Sequence, residues 1–231
     1  YDHTAYDQSR NILYATRLEE RTMEKWSYVD GAGNWGNAAN RIGNLIIAEG
    51  LEYFPDANRG AGGLVHYGSY AEDGGQGGGI RLSNPDVSSW SWVDGNFFSS
   101  SGSRYHLNAT YLHAPRVVLC GGGDSGPDAV ALSPTGDVIR RNNLPAHWGA
   151  ADNNGMGTYL SDSSTGSNFF VSASRGILYE HTYATDQWNR LGSLTSTGPR
   201  RFATMLSAYG EILYVKGAST YRNTTIWVYK L

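Results

Sequence analysis

The chain has 231 residues, enough for one substantial core or for an array of small units that bury surface only against their neighbours. Only 17% of residues are charged and the formal net charge is -3, so no basic patch supports a phosphate-driven affinity for nucleic acid. No apolar run approaches the roughly 20 residues of a membrane-spanning helix, and the lone Cys120 excludes an intrachain disulfide framework.

Glycine (30), tyrosine (16) and tryptophan (7), beside many Ser, Asn and Thr, favour strands and tight turns. At the amino end "HTAYDQ" supplies one strand before "NILYATR", Asn11 to Arg17, and "WSYVDG", Trp26 to Gly31. In the last stretch Trp26 and Tyr28 alternate with Ser27 and Val29, and Asp30-Gly31 makes a tight exit. The stretch returns as "WSWVDG", Trp90 to Gly95, and a similar strand pair returns in "GILYEHTYATDQWNRLG", Gly176 to Gly192. Trp26, Trp90 and Trp188 are therefore expected to open equivalent outer strands.

Their spacing sets the repeat. Trp90 and Trp188 stand far enough apart for two units of about 49 residues, close to the ~40–50 residues of a propeller blade. The shorter Trp26–Trp90 interval then needs one unit with an insertion, expected at Leu51 to Gly63 or at Tyr70 to Gly79. Two further strands precede each pair: "LNATYLH" and "RVVLCGGG" before "AVALSP" and "DVIRRN", then "GTYLSD" and "NFFVSAS" before "GILYEHT" and "WNRLG". The expected fold is all-β, a single β-propeller of four-stranded antiparallel blades, about five blades or part of a larger ring. The units fall at about 1-36, 37-101, 102-150, 151-197 and 198-231. A β-sandwich also uses short strands, but leaves the four-strand repeat unexplained. Opening in mid-unit and closing after the third strand "TTIWVYKL", the chain is expected to belong to a longer polypeptide.

The segment from Gln187 to Leu231 resembles a kelch repeat, with Trp188 opening an outer strand, Pro199-Arg200 before the next inner strand, then "LYVKG" and "IWVYKL". "VVLCGGG" adds Gly121 and Gly122, which match the glycine pair of kelch-type blades. The resemblance covers about half the chain and implies a propeller of the kelch or galactose-oxidase-like kind, with no particular activity. Copper chemistry of the latter kind is not carried over, because Cys120 inside an apolar strand reads as a packed core residue.

Catalytic signals are sparse. Asp30 and Asp94 of the repeated "VDG" read as turn formers, since aspartate bonds its own backbone two residues on. The histidines, His3, His66, His106, His113, His147 and His181, show no metal-ligand spacing, so no metal or cofactor is expected; His66 and His113 are candidates for a channel lining. "GGQGGG" and "CGGGDSG" lack the helix and the GK[ST] of a phosphate loop. Asn108 and Asn223 are glycosylation acceptors only in a secreted eukaryotic setting.

The loops carry the better lead. Connections between blades, and between second and third strands, gather on one face of a propeller. They would bring together Trp35, Phe97, Phe98 and Trp148 with Tyr70, Asp73, Asp124, Tyr221 and Arg222, a set suited to stacking on a sugar ring or anchoring a protein. The leading expectation is a non-catalytic recognition or assembly module of an extracellular or virion-surface protein, with a glycan or protein partner, no nucleic acid and no membrane insertion. The competing expectation is a glycoside hydrolase or lyase with acids near the axis, Asp2, Glu52, Asp56 or Asp152. A third is a purely structural role in assembly.

Overall fold

A computed structural model of the chain describes residues 4–17, 22–29, 32–39, 50–69, 78–94, 107–122, 129–142, 158–172, 176–193, 201–217 and 224–231. They form five antiparallel sheets. The first holds β1 (Thr4–Asp7), β2 (Ile12–Arg17), β3 (Thr22–Val29) and β4 (Ala32–Ala39), and the second β5 (Gly50–Phe54), β6 (Gly63–Ser69), β7 (Gly78–Ser83) and β8 (Trp90–Asp94). The third holds β9 (Leu107–Leu112), β10 (Val117–Gly122), β11 (Ala129–Leu132) and β12 (Val138–Arg141). The fourth holds β13 (Thr158–Ser161), β14 (Asn168–Ser172), β15 (Ile177–Thr182) and β16 (Gln187–Ser193); the fifth has β17 (Arg201–Leu206), β18 (Glu211–Gly217) and β19 (Thr224–Lys230). Within each sheet the strands run in sequence order, so each blade is a simple meander and the chain is a β-propeller.

The core is divided among the junctions between sheets. Ala5 and Tyr14 meet Leu51, Tyr53 and Leu64 at the first junction, and Phe54, Val65 and Ile80 meet Val118, Cys120 and Val130 at the second. Leu112, Leu119 and Ala131 meet Tyr159 and Phe170 at the third, and Leu160, Phe169 and Val171 meet Ile212 and Tyr214 at the fourth. Side chains alternate between the two faces of a strand, so β10 sends Val118 and Cys120 one way and Val117 and Leu119 the other. Middle strands buried on both faces read as apolar runs, "AVAL" in β11 and "FFV" in β14, whereas outer β16 is largely exposed.

Three expectations are corrected. Trp26 lies in β3, the third strand of its sheet, while Trp90 and Trp188 lie in the fourth strands β8 and β16. An aromatic-polar alternation ending in Asp-Gly marks a half-exposed strand with a tight exit, and any such strand of a blade can carry it. The first sheet is complete over 4–39, so the unit does not begin halfway, and Leu51 to Gly63 holds inner strand β5 and the turn after it rather than an insertion. Tyr70 to Gly77 lie outside the described residues.

Candidate functional site

The first strand of every sheet, β1, β5, β9, β13 and β17, has a partner on one side only, leaving main-chain N–H and C=O groups on the opposite edge. All five strands, with the turns after β1, β5 and β9, line one cavity of about 750 Å³. Bare peptide groups at such edges need partners, which is why this lining is rich in polar side chains.

Several of these side chains fasten one inner strand to the next. Glu52 in β5 accepts the Tyr53 N–H at 2.9 Å and also a main-chain bond from Tyr111 in β9, so one carboxylate spans the second and third sheets. Thr110 donates to the Tyr159 carbonyl at 3.2 Å, and the His113 N–H donates to Ser161 Oγ at 3.1 Å, joining the third sheet to the fourth. The Ser163 N–H donates to Ser207 Oγ at 3.1 Å between fourth and fifth. From the first sheet Arg10 donates to the carbonyls of Ala61 and Pro85 in the second. At the other end of β5 the backbones come close: a Cβ on Gly50 would lie 2.8 Å from the Ala109 nitrogen, so glycine is required there.

Two carboxylates share the cavity in opposite environments. Burial pushes the Glu52 carboxyl up to about 7, against the pull of its two amide donors. It keeps some surface toward the cavity yet is enclosed by protein on its other sides, so desolvation dominates. Asp56, in the turn after β5, is held below the usual range chiefly by the Arg116 guanidinium, with the Tyr111 hydroxyl donating at 2.5 Å. Arg116 reaches it from a left-handed backbone position, φ 56°, in the β9–β10 turn. Burial, with Asp56 beside it, raises the Tyr111 phenol to about 12. His113 meets the Tyr111 ring edge-on at 4.9 Å, and desolvation keeps its imidazole below 6.5 despite Asp162. At neutral pH the lining thus offers one half-ionised acid, one ion pair and one neutral imidazole.

A second polar cluster belongs to the junction between third and fourth sheets. His181 bonds the Tyr159 hydroxyl through Nδ1 and Asp186 through Nε2 at 3.1 Å, and stacks on Trp188 at 4.1 Å. Asp186 also faces Arg141 at 3.4 Å and accepts the Asn142 N–H, both at the end of β12. The histidine is buried with both ring nitrogens bonded, and Asp186 ties it to the end of β12, which makes the cluster a fastening between blades.

Of the loop residues expected to bind, Tyr70, Asp73, Phe97, Phe98, Asp124, Trp148, Tyr221 and Arg222 lie outside the described residues. Trp35 falls within β4, not in a loop. Among the expected acids Asp2 and Asp152 lie outside the described residues, and Glu52 and Asp56 are brought to the same cavity. His113, in the turn after β9, is among the lining residues, and His66 sits in second strand β6, edge-on to Trp90. Asn108 lies in inner strand β9, a poor place for a glycan. Tyr111 and Arg116 escaped the sequence reading, although "PRV" directly after an inner strand marks a tight turn whose side chain can reach the axis. Among the described residues no group of three His, Cys, Asp or Glu could hold a metal ion.

No protein-family model and no curated protein matches this sequence. Solved structures do resemble the fold. One, titled "Streptogramin B lyase structure", aligns with a TM-score of 0.56 at 12% identity, over 97% of this chain and 66% of that one. The chain thus spans just under two thirds of that protein, and at this identity the likeness establishes the propeller fold alone.

Proposed function

We propose that the chain is a recognition propeller whose axial cavity binds a small, polyhydroxylated ligand of carbohydrate size. The observation that carries this reading is the convergence of five inner strands on one cavity of about 750 Å³ with aromatic and hydrogen-bonding groups in its wall. Ligand pockets commonly measure roughly 300–1,000 Å³ and combine apolar surface with a few placed polar groups. Tyr6, half exposed with its hydroxyl held on Asn11 at 2.6 Å, offers a ring face, while Gln8, Ser9 and Thr204 offer donors and acceptors. Ligand-observed NMR against a panel of monosaccharides and polyols is the test. Binding that weakens by about tenfold in Tyr6→Ala supports the reading, and a panel in which nothing binds overturns it.

An extracellular or virion-surface setting, with a glycan or protein partner on the loop-bearing end, accords with the low charge and the Gly-, Asn-, Ser- and Tyr-rich composition. The kelch-like features at Gly121-Gly122 and from Gln187 onward support a place near that group of propellers. A second reading is favoured by the opposed environments of Glu52 and Asp56: a hydrolase or lyase with Glu52 as proton donor and acceptor. Turnover of a bound sugar, lost in Glu52→Gln, supports it; binding without turnover sinks it.

A further inference from the structure

Glu52 lacks a counter-charge among the described residues. The donors it meets there are two main-chain amides, those of Tyr53 and Tyr111. The cation in the described lining is Arg116, and its charge is engaged by Asp56. The other groups around Glu52 are neutral at pH 7: the Cys120 thiol behind it on β10, the Tyr53 phenol on β5, the Tyr111 phenol on β9 and the His113 imidazole at the end of β9. Arg10, on the first sheet, spends its donors on carbonyls of the second and lies beside Asp7. An enclosed carboxylate without a cation is costly unless something brings one. The cavity that Glu52 faces has room for a ligand that does, and an ammonium group gains further from tyrosine ring faces.

We propose that the axial cavity selects a polyol or sugar bearing a protonated amino group, which pairs with the Glu52 carboxylate. This rests on the reading of the cavity as a binding site. Pairing favours the ionised acid, so binding of the amine drives a proton off Glu52, and affinity falls as the solution becomes more acidic. A neutral ligand of the same shape carries no such dependence.

The experiment compares matched twins by calorimetry, sorbitol against glucamine first and then other polyols against their 1-amino-1-deoxy derivatives. Wild-type protein at about pH 8 is expected to bind an amine at least about tenfold more tightly than its neutral twin, with the preference shrinking toward about pH 6. Glu52→Gln, which keeps an oxygen for the two amides, is expected to bind both twins alike. Its far-UV spectrum and melting curve confirm that it is folded. Equal affinity for the twins in wild type overturns the inference and leaves the binding reading standing; binding of neither in any pair overturns both.

Discussion

Glu52 ties the cavity to the stability of the fold through its proton. Its carboxyl is raised from 4.5 to about 7, so the folded chain holds a proton that the unfolded chain releases between those values. Its contribution is fully present below about 4.5 and is lost as pH rises through about 7, a loss on the order of 3 kcal/mol. Urea melts across that range should show wild type losing stability relative to Glu52→Gln by about this amount; parallel curves refute the assignment. His181 acts oppositely. Burial holds its imidazole below 6.5, against Asp186, so its contribution is present above 6.5 and lost as pH falls below. His181→Gln should flatten the acid side of the stability profile and leave the limb due to Glu52 in place. Burial likewise pushes the Cys120 thiol well above its usual range, so an alkylating reagent should modify it only at the rate of unfolding. Labelling on mixing would show that β10 is not packed as described. Of the site, the sequence disclosed acids and left their placement open. Glu52 and Asp56 were visible as two of four candidate acids near the axis, in a segment expected to be an insertion, and the pairing of Asp56 with Arg116, 60 residues away, depends on how two blades meet.

The turns after the inner strands differ in how closely they approach the neighbouring blade. Gly166, between β13 and β14, has φ +76° and would place a Cβ 2.7 Å from the Ala114 side chain on the next sheet. Gly210, between β17 and β18, has φ +63° and nothing within 4 Å. Gly210→Ala therefore bears only left-handed backbone strain, about 1 kcal/mol, and Gly166→Ala bears that plus a clash, about 2–3 kcal/mol in all. Equal losses in thermal melts would mean that the turns do not touch. In the strands Phe170→Ala should cost about 3–5 kcal/mol, since the ring is fully buried among Leu112, Leu119 and Tyr159. Elements were legible where signals agree: "VVLC", "AVAL" and "FFV" are short, apolar and recur within a four-strand unit, as strands buried on both faces do. The rank of a strand within its sheet was not, as Trp26 shows, because the same aromatic-polar alternation suits a third or a fourth strand.

At the scale of the molecule successive sheets share a core at each of four junctions, and among the described residues no single cluster joins all five. The repeat of four strands made this arrangement readable, while the cavity stayed hidden because it belongs to no one blade. The fifth sheet exposes Ile226 and Val228, at 59% and 55%, more than the outer strands of the second, third and fourth sheets expose Trp92, Ile139 and Leu191, at 42%, 42% and 49%. Free energy of opening is then graded along the array, with each blade supported by its neighbours alone. Amide hydrogens of β10, β11 and β14 should exchange with deuterium most slowly and those of β19 soonest, read by mass spectrometry of peptides over minutes to hours. Uniform exchange would mean the blades open as one. Because the polar bridges around the axis follow the same succession, loss of the last blade removes one wall of the cavity and leaves the Glu52 span between second and third sheets intact. The rate at which a ligand escapes would then be set by the breathing of the fifth blade, a clock separate from the contacts that hold it.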